Sequence, residues 1–296
     1  MRHNLTNLCL AMAALLLVTG CFCRSQRDTS GTRYDVNSEP PAVKPSPENE
    51  SQTSPSSRIV RKEDRGDFVV ETTSSATSRF REIDGRVRAE KLLERAADRL
   101  NRSLALPYNI LLRARECGEQ NAFYSSKDRS ITICYELMDR FHRTFKGAGA
   151  TDEKATERMF DAIRFVFLHE IGHALIEAYD LPITANEEDA ADRLSAFVNL
   201  TELGEDGVRA VFAAADAFAI ESKQAKPSKR SLAEEHLLQE QRFYNSLCMI
   251  YGSDPDKYSN IVSDGYLPQE RASRCEREFR RTVDSWMRLL EPWRKS

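Results

Sequence analysis

Residues 152–179 read DEKATERMFDAIRFVFLHEIGHALIEAY, and the reading of this stretch decides the fold. The run stops before Leu181-Pro182, so it reads as one long helix. Within it stands His169-Glu170-Ile171-Gly172-His173. Four residues on a helix amount to about 400° of rotation, so the imidazoles of His169 and His173 leave one face about a turn apart and can chelate a single cation. Glu170, roughly 100° around, reaches a water beside such a cation rather than the cation itself. The spacing H-E-x-x-H is the pattern in which two His bind Zn²⁺ and the Glu serves as general base. Only five His occur in the whole chain, and two of them are here, among Phe165, Phe167, Leu168 and Ile171. The plain alternative is an ordinary helix with two satisfied His.

Two His leave a catalytic site one protein ligand short, because such zinc keeps three ligands and an open position. Downstream lies Asn186-Glu187-Glu188-Asp189-Ala190-Ala191-Asp192, where Asn186 can cap a further helix and the acids can compensate its dipole. Glu188-x-x-Ala191-Asp192 resembles the E-x-x-A-D pattern of the gluzincin metallopeptidases. The resemblance implies a zincin-like fold, with Glu188 as third zinc ligand and Asp192 accepting a hydrogen bond from the outer nitrogen of a ligand His. Glu187 and Asp189 are the competitors. It also implies that a substrate backbone pairs with an edge strand near the zinc helix, and Ser130 to Cys134 is the expected edge.

A second likeness covers about Phe80 to Glu278. Cys117-Gly118, Asn121-Ala122-Phe123-Tyr124, Ile133-Cys134-Tyr135-Glu136-Leu137, Gln241-Arg242-Phe243-Tyr244-Asn245 and Tyr251-Gly252-Ser253-Asp254, with the zinc motif and Glu188 to Asp192, are similar to a family of bacterial exported proteins classed as metallopeptidases.

The rest of the folded part reads as α+β and mostly helical: a small antiparallel sheet, then a helical bundle that carries H-E-x-x-H. Ala89, Leu92, Leu93, Ala96 and Leu100 recur at helical spacing, which predicts one helix over Asp84 to Ser103. Ile110, Leu112 and Ala114 alternate, and Ala122 to Tyr124 and Ile131 to Cys134 flank a polar turn, which predicts the sheet. Helices are then expected over Tyr135 to Phe145, from Asn186 to Leu203, over Asp206 to Lys223, from a Ser231/Glu234 capping box through Tyr251, and over Gln269 to Leu290. His236 and Tyr244 fall in the helix from Ser231, about 80° apart, and are the expected contacts to the oxyanion. The expected reaction is hydrolysis of a peptide or protein substrate, with zinc lowering the pKa of its water toward about 7 and Glu170 taking the proton.

The start of the chain points outside the cytoplasm. Arg2 precedes an apolar run from Leu8 to Val18, the pattern of a secretory signal peptide over residues 1–20. Val18-Thr19-Gly20-Cys21 resembles the bacterial lipoprotein box, which implies a lipid on Cys21, and Phe22 in place of Asp implies the outer membrane. Five of the 11 prolines fall between Pro40 and Pro55 in a segment almost without aliphatic residues. That composition cannot offset ordering entropy, so residues 21–79 read as a lipid-anchored tether and 80–296 as the peptidase domain. Export makes disulfides available: Cys117 is expected with Cys134 and Cys248 with Cys275, while Cys23 stays unpaired.

The charge balance, 43 basic against 46 acidic residues and −3 net, gives no nucleic-acid signature. The clusters at Lys226 to Arg230 and Arg277 to Arg281 are short and flanked by acids. Two other classes fit the motifs: a lipid-anchored interaction protein with a structural zinc site, and a zinc amidase acting on cell-wall peptides.

Overall fold

The computed structural model describes residues 60–73, 76–184, 186–223, 228–233 and 235–295. The expected signal peptide, Cys21, Cys23, the tether as far as residue 59, and Glu234 lie outside them. The first element, β1 (Phe68–Val70), already belongs to the fold, because it pairs with β2 (Ile110–Arg115). Lys62 N–H also donates to the Pro292 carbonyl at 2.8 Å. The folded part thus reaches back past the expected boundary at Phe80.

Between these strands the expected single helix is two, α1 (Arg81–Ala89) and α2 (Leu92–Ser103). Lys91 breaks them apart at φ 50°. The helices serve different surfaces: α1 lies against α3, whereas α2 covers β1 and β2. Next come β3 (Ala122–Ser125) and β4 (Ser130–Cys134), then α3 (Tyr135–Gly147).

The sheet corrects the expectation of an antiparallel one. Its order is β1-β2-β4-β3, with β1/β2 and β2/β4 parallel and only β3/β4 antiparallel. Alternation in Ile110, Leu112 and Ala114 tells which face is buried, but not which strand comes alongside. Here β3 and β4 form a hairpin, and it is β4 that joins β2, so β2 and β4 run the same way. Every residue of β4 is buried, as a central strand requires, while β3 is half-buried at the edge. The edge near the candidate site is therefore β3 and not Ser130 to Cys134.

The long helix forms as expected, as α4 (Asp152–Tyr179). Thr151 caps it by accepting the Lys154 N–H at 3.3 Å, and Asp180 ends it in the left-handed region at φ 50°. From Ile163 to Tyr179 most of its residues are buried on every side, so it runs through the core instead of over it. Each fully buried Ile, Leu or Phe there contributes about 1.5–3 kcal/mol. The sheet, α3 and α4 enclose one apolar cluster around Met138, Phe145 and Ile163.

The remaining helices are α5 (Glu187–Glu202), α6 (Gly204–Ser222), the short α7 (Lys229–Ala233), α8 (Gln239–Ser253), α9 (Asn260–Ser263) and α10 (Gln269–Leu290), with a closing turn at Glu291–Trp293. A second cluster, including Phe165, Val211, Phe218 and Ile250, joins α4 to α6, α8 and α10. The expected helix from Ser231 is interrupted: residues 235–238 are not helical, and α8 starts where Gln241 Oε1 accepts the Leu238 N–H at 3.1 Å. Both expected disulfides are present, Cys117–Cys134 with Cα atoms 5.5 Å apart and Cys248–Cys275 at 5.1 Å. Among the described residues no helix is long and apolar enough to cross a membrane.

Candidate metal centre and its cleft

Two small residues set the site. At Gly172, inside the histidine motif of α4, a Cβ would stand 3.0 Å from Ala191 Cα and 3.1 Å from Ala191 Cβ. With hydrogen in that place, α5 comes close to α4, and Ser195 Oγ fixes it there by donating to the Phe165 carbonyl at 2.6 Å. Asn186 caps α5 as the sequence predicts, accepting the Asp189 N–H at 3.2 Å. Glu188 and Asp192, three residues before and one after Ala191, thereby arrive beside the two histidines.

The contacts are specific. His169 Nδ1 meets Asp192 Oδ1 at 2.8 Å, and His173 Nδ1 meets Glu187 Oε1 at 2.7 Å. An ionised carboxylate only accepts, so each Nδ1 donates, and each Nε2 is the nitrogen left to give its lone pair when a metal binds. These two Nε2 atoms lie 3.1 Å apart. Glu188 adds its carboxylate, with Oε2 3.1 Å from His169 Nε2 and Oε1 3.5 Å from His173 Nε2. Glu188 Oε2 is buried, and its close contacts are to histidine nitrogens alone.

Lone pairs facing at such distances repel one another unless a cation stands between them. Two ligands each about 2.0–2.1 Å from a tetrahedral Zn²⁺ lie about 3.3 Å apart, close to the separations seen here. His169, His173 and Glu188 therefore make a donor set that fits a divalent ion. Without one, the charges work on each other. Burial opposes a charged His169, but the Asp192 and Glu188 carboxylates outweigh it and hold the imidazole up at about 9. Burial likewise opposes ionised Glu188, yet His169, His173 and His236 hold its carboxyl far below the usual range.

Glu170 is buried, and its Oε2 accepts the backbone N–H of Tyr124, on the edge strand β3, at 2.9 Å. Burial raises its carboxyl above the ordinary range, against the pull of His169 and His173. His236 lies in the non-helical segment before α8, with its ring stacked 5.9 Å from that of His169 and its Nε2 2.8 Å from Glu188 Oε2. Its side chain is 52% exposed, at the mouth of the site. Asn186 holds this segment by donating its Nδ2 to the Glu235 carbonyl at 2.6 Å.

Tyr244 does not join the site. Because α8 begins after His236, the expected 80° relation is lost; Arg242 faces Asp192, and Tyr244, about 200° further around α8, packs with Phe243 at 5.1 Å. Two residues with clear contacts were missed from the sequence. One is Glu187, expected as a competitor for the third ligand position or as a dipole charge, which instead meets His173 Nδ1. The other is Arg242, whose Nε and Nη2 reach Asp192 Oδ2 and Oδ1 at 2.8 and 2.7 Å while its guanidinium lies 4.2 Å over the Phe218 ring. Its place in Gln241 to Asn245, one of the stretches of family likeness, was the available signal.

A cavity of about 800 Å³ opens over the motif, lined on one side by β3 and on the other by the start of α8. A buried glutamate, two histidines held by carboxylates and a third carboxylate in such a cleft form a candidate metal-dependent hydrolase site. Residues 73–290 match the model of the family described as "Putative metallopeptidase", and the chain belongs to that family. No curated protein and no solved structure matches it.

Proposed function

We propose that the chain is a zinc peptidase of gluzincin type with a zincin-like fold, in which His169, His173 and Glu188 bind Zn²⁺ and Glu170 is the general base. The observation that carries this reading is the convergence of the two Nε2 atoms and the Glu188 carboxylate while Asp192 and Glu187 tie down the opposite ring nitrogens. When bound, zinc supplies a Lewis acid that polarises the scissile carbonyl and acidifies water. Glu170, with Oε2 held by Tyr124, takes the proton of the attacking water and returns it to the leaving amine. His236 contacts the substrate oxygen from the mouth of the site. The substrate backbone lies along the edge strand β3, outside the Tyr124 N–H that Glu170 occupies.

The same reading sets the protein outside the cytoplasm, as a domain tethered through lipid on Cys21 to the outer membrane after removal of residues 1–20. The leader pattern, the Val18 to Cys21 box and the two disulfides support that placement.

The test is Glu170→Gln in the full chain, with peptide cleavage and zinc content measured together. Loss of cleavage by about 10³-fold or more with zinc retained is expected of a missing base. Unchanged turnover would refute the assignment.

A further inference from the structure

Beyond the histidines, the cleft gathers buried polar atoms that make no aligned hydrogen bond. Among the described residues six buried side-chain atoms lack an aligned hydrogen bond, and four of them, on Tyr124, Glu188, Glu221 and Gln239, belong to residues lining this one cavity, those of Glu188 and Glu221 having ion-pair contacts only. A bound cation accounts for Glu188. Glu221 and Gln239 have no part in the reaction described above.

Glu221, next to last in α6, has its side chain 8% exposed. Its Oε2 accepts Gln239 Nε2 at 3.0 Å, while its Oε1 faces Arg140 Nη2 at 2.8 Å without hydrogen-bond alignment. Gln239 Oε1 is likewise buried and unbonded. Two acceptors, one of them charged, thus stand together and gain from any donor that a ligand brings. Burial raises the Glu221 carboxyl above its usual range in spite of Arg140 and Arg242. Charge along the cleft agrees: six glutamates line it against Arg140 and Arg242, so the lining stays negative even with a divalent ion bound.

We propose that Glu221 and Gln239 form the subsite that recognises a basic side chain, Lys or Arg, of the substrate. The inference rests on the peptidase reading and names the class of peptide that the site takes. Arg140 is the resident stand-in for that cation; its side chain is 38% exposed and has solvent to move into when a substrate arrives.

The test uses the zinc-loaded full chain and quenched peptides that differ only in carrying Lys, Gln or Glu at each of three positions on either side of a fixed central pair. At one position kcat/KM for Lys should exceed that for Gln by about 10-fold, with Glu lowest. In Glu221→Gln the Lys-to-Gln ratio should fall toward one. In Arg140→Gln, which frees Glu221, it should rise, and such opposite movements are not produced by a general loss of folding. Cleavage indifferent to these charges, a preference for Glu, or a Lys preference unmoved in both variants would overturn the inference alone. No cleavage of any peptide would remove the peptidase reading and the inference with it.

Discussion

Replacing Arg242 with Met should cost the protein about 3 kcal/mol, because it leaves a buried carboxylate with half its partners. The Arg242 side chain is 11% exposed and that of Asp192 17%, and the guanidinium grips both carboxylate oxygens at 2.7 and 2.8 Å. Breaking a buried pair from one side costs about 3–5 kcal/mol. The lower end applies, since His169 Nδ1 still donates to Oδ1 and Met replaces part of the contact with Phe218. Urea unfolding of the native chain, Arg242→Met, Asp192→Asn and the double variant measures it. The midpoint of Arg242→Met should drop by about 1 M. The double variant should be no less stable than Arg242→Met alone, because the uncompensated charge has gone. A loss below about 1 kcal/mol in Arg242→Met, or strictly additive losses, would refute the reasoning.

Three further outcomes follow from the same contacts. His169 in the metal-free chain is held at about 9 against an ordinary 6.5, so its contribution to stability is whole below pH 6.5 and lost as pH rises through 9. The urea midpoint of chelator-treated protein should fall across that window, and that of zinc-loaded protein should not; a flat profile after chelation would contradict the assigned charge. Gly172→Val should force α5 away at Ala191, costing about 1–3 kcal/mol and weakening zinc binding, read by competition with a fluorescent chelator; native affinity would show that the close approach is dispensable. Replacing either cysteine pair with Ser should cost about 3 kcal/mol by thermal or urea unfolding, and only loss of Cys117–Cys134, whose loop contains β3, should also lower cleavage.

The grouping of the two histidines with Glu188 was legible because its signals are local. His169 and His173 need only helical spacing, and Asn186 with the acids after it fixes where α5 begins. Glu188 and Asp192 came from the resemblance of their stretch to the gluzincin pattern. What escaped needed distant partners. The direction of β4 beside β2 depends on a crossover that no alternation records. Lys91 breaks a helix whose apolar spacing runs through it unchanged, because α1 and α2 cover different surfaces. The helix expected from Ser231 fails across residues 235–238, where the segment instead lays His236 against Glu188, and that shift took Tyr244 out of the site. Arg242 and Glu187 carry no spacing signature of their own, since each acts through a residue from another turn or helix.

The most direct test of the account is metal content by elemental analysis of the full chain, native and Glu188→Ala, purified without chelator. The account predicts close to one zinc per native chain and a large loss in the variant, because Glu188 supplies the third ligand. A native chain that holds no divalent metal even after zinc is supplied, or a variant that binds it as well as the native chain, would contradict the site on which every other claim depends.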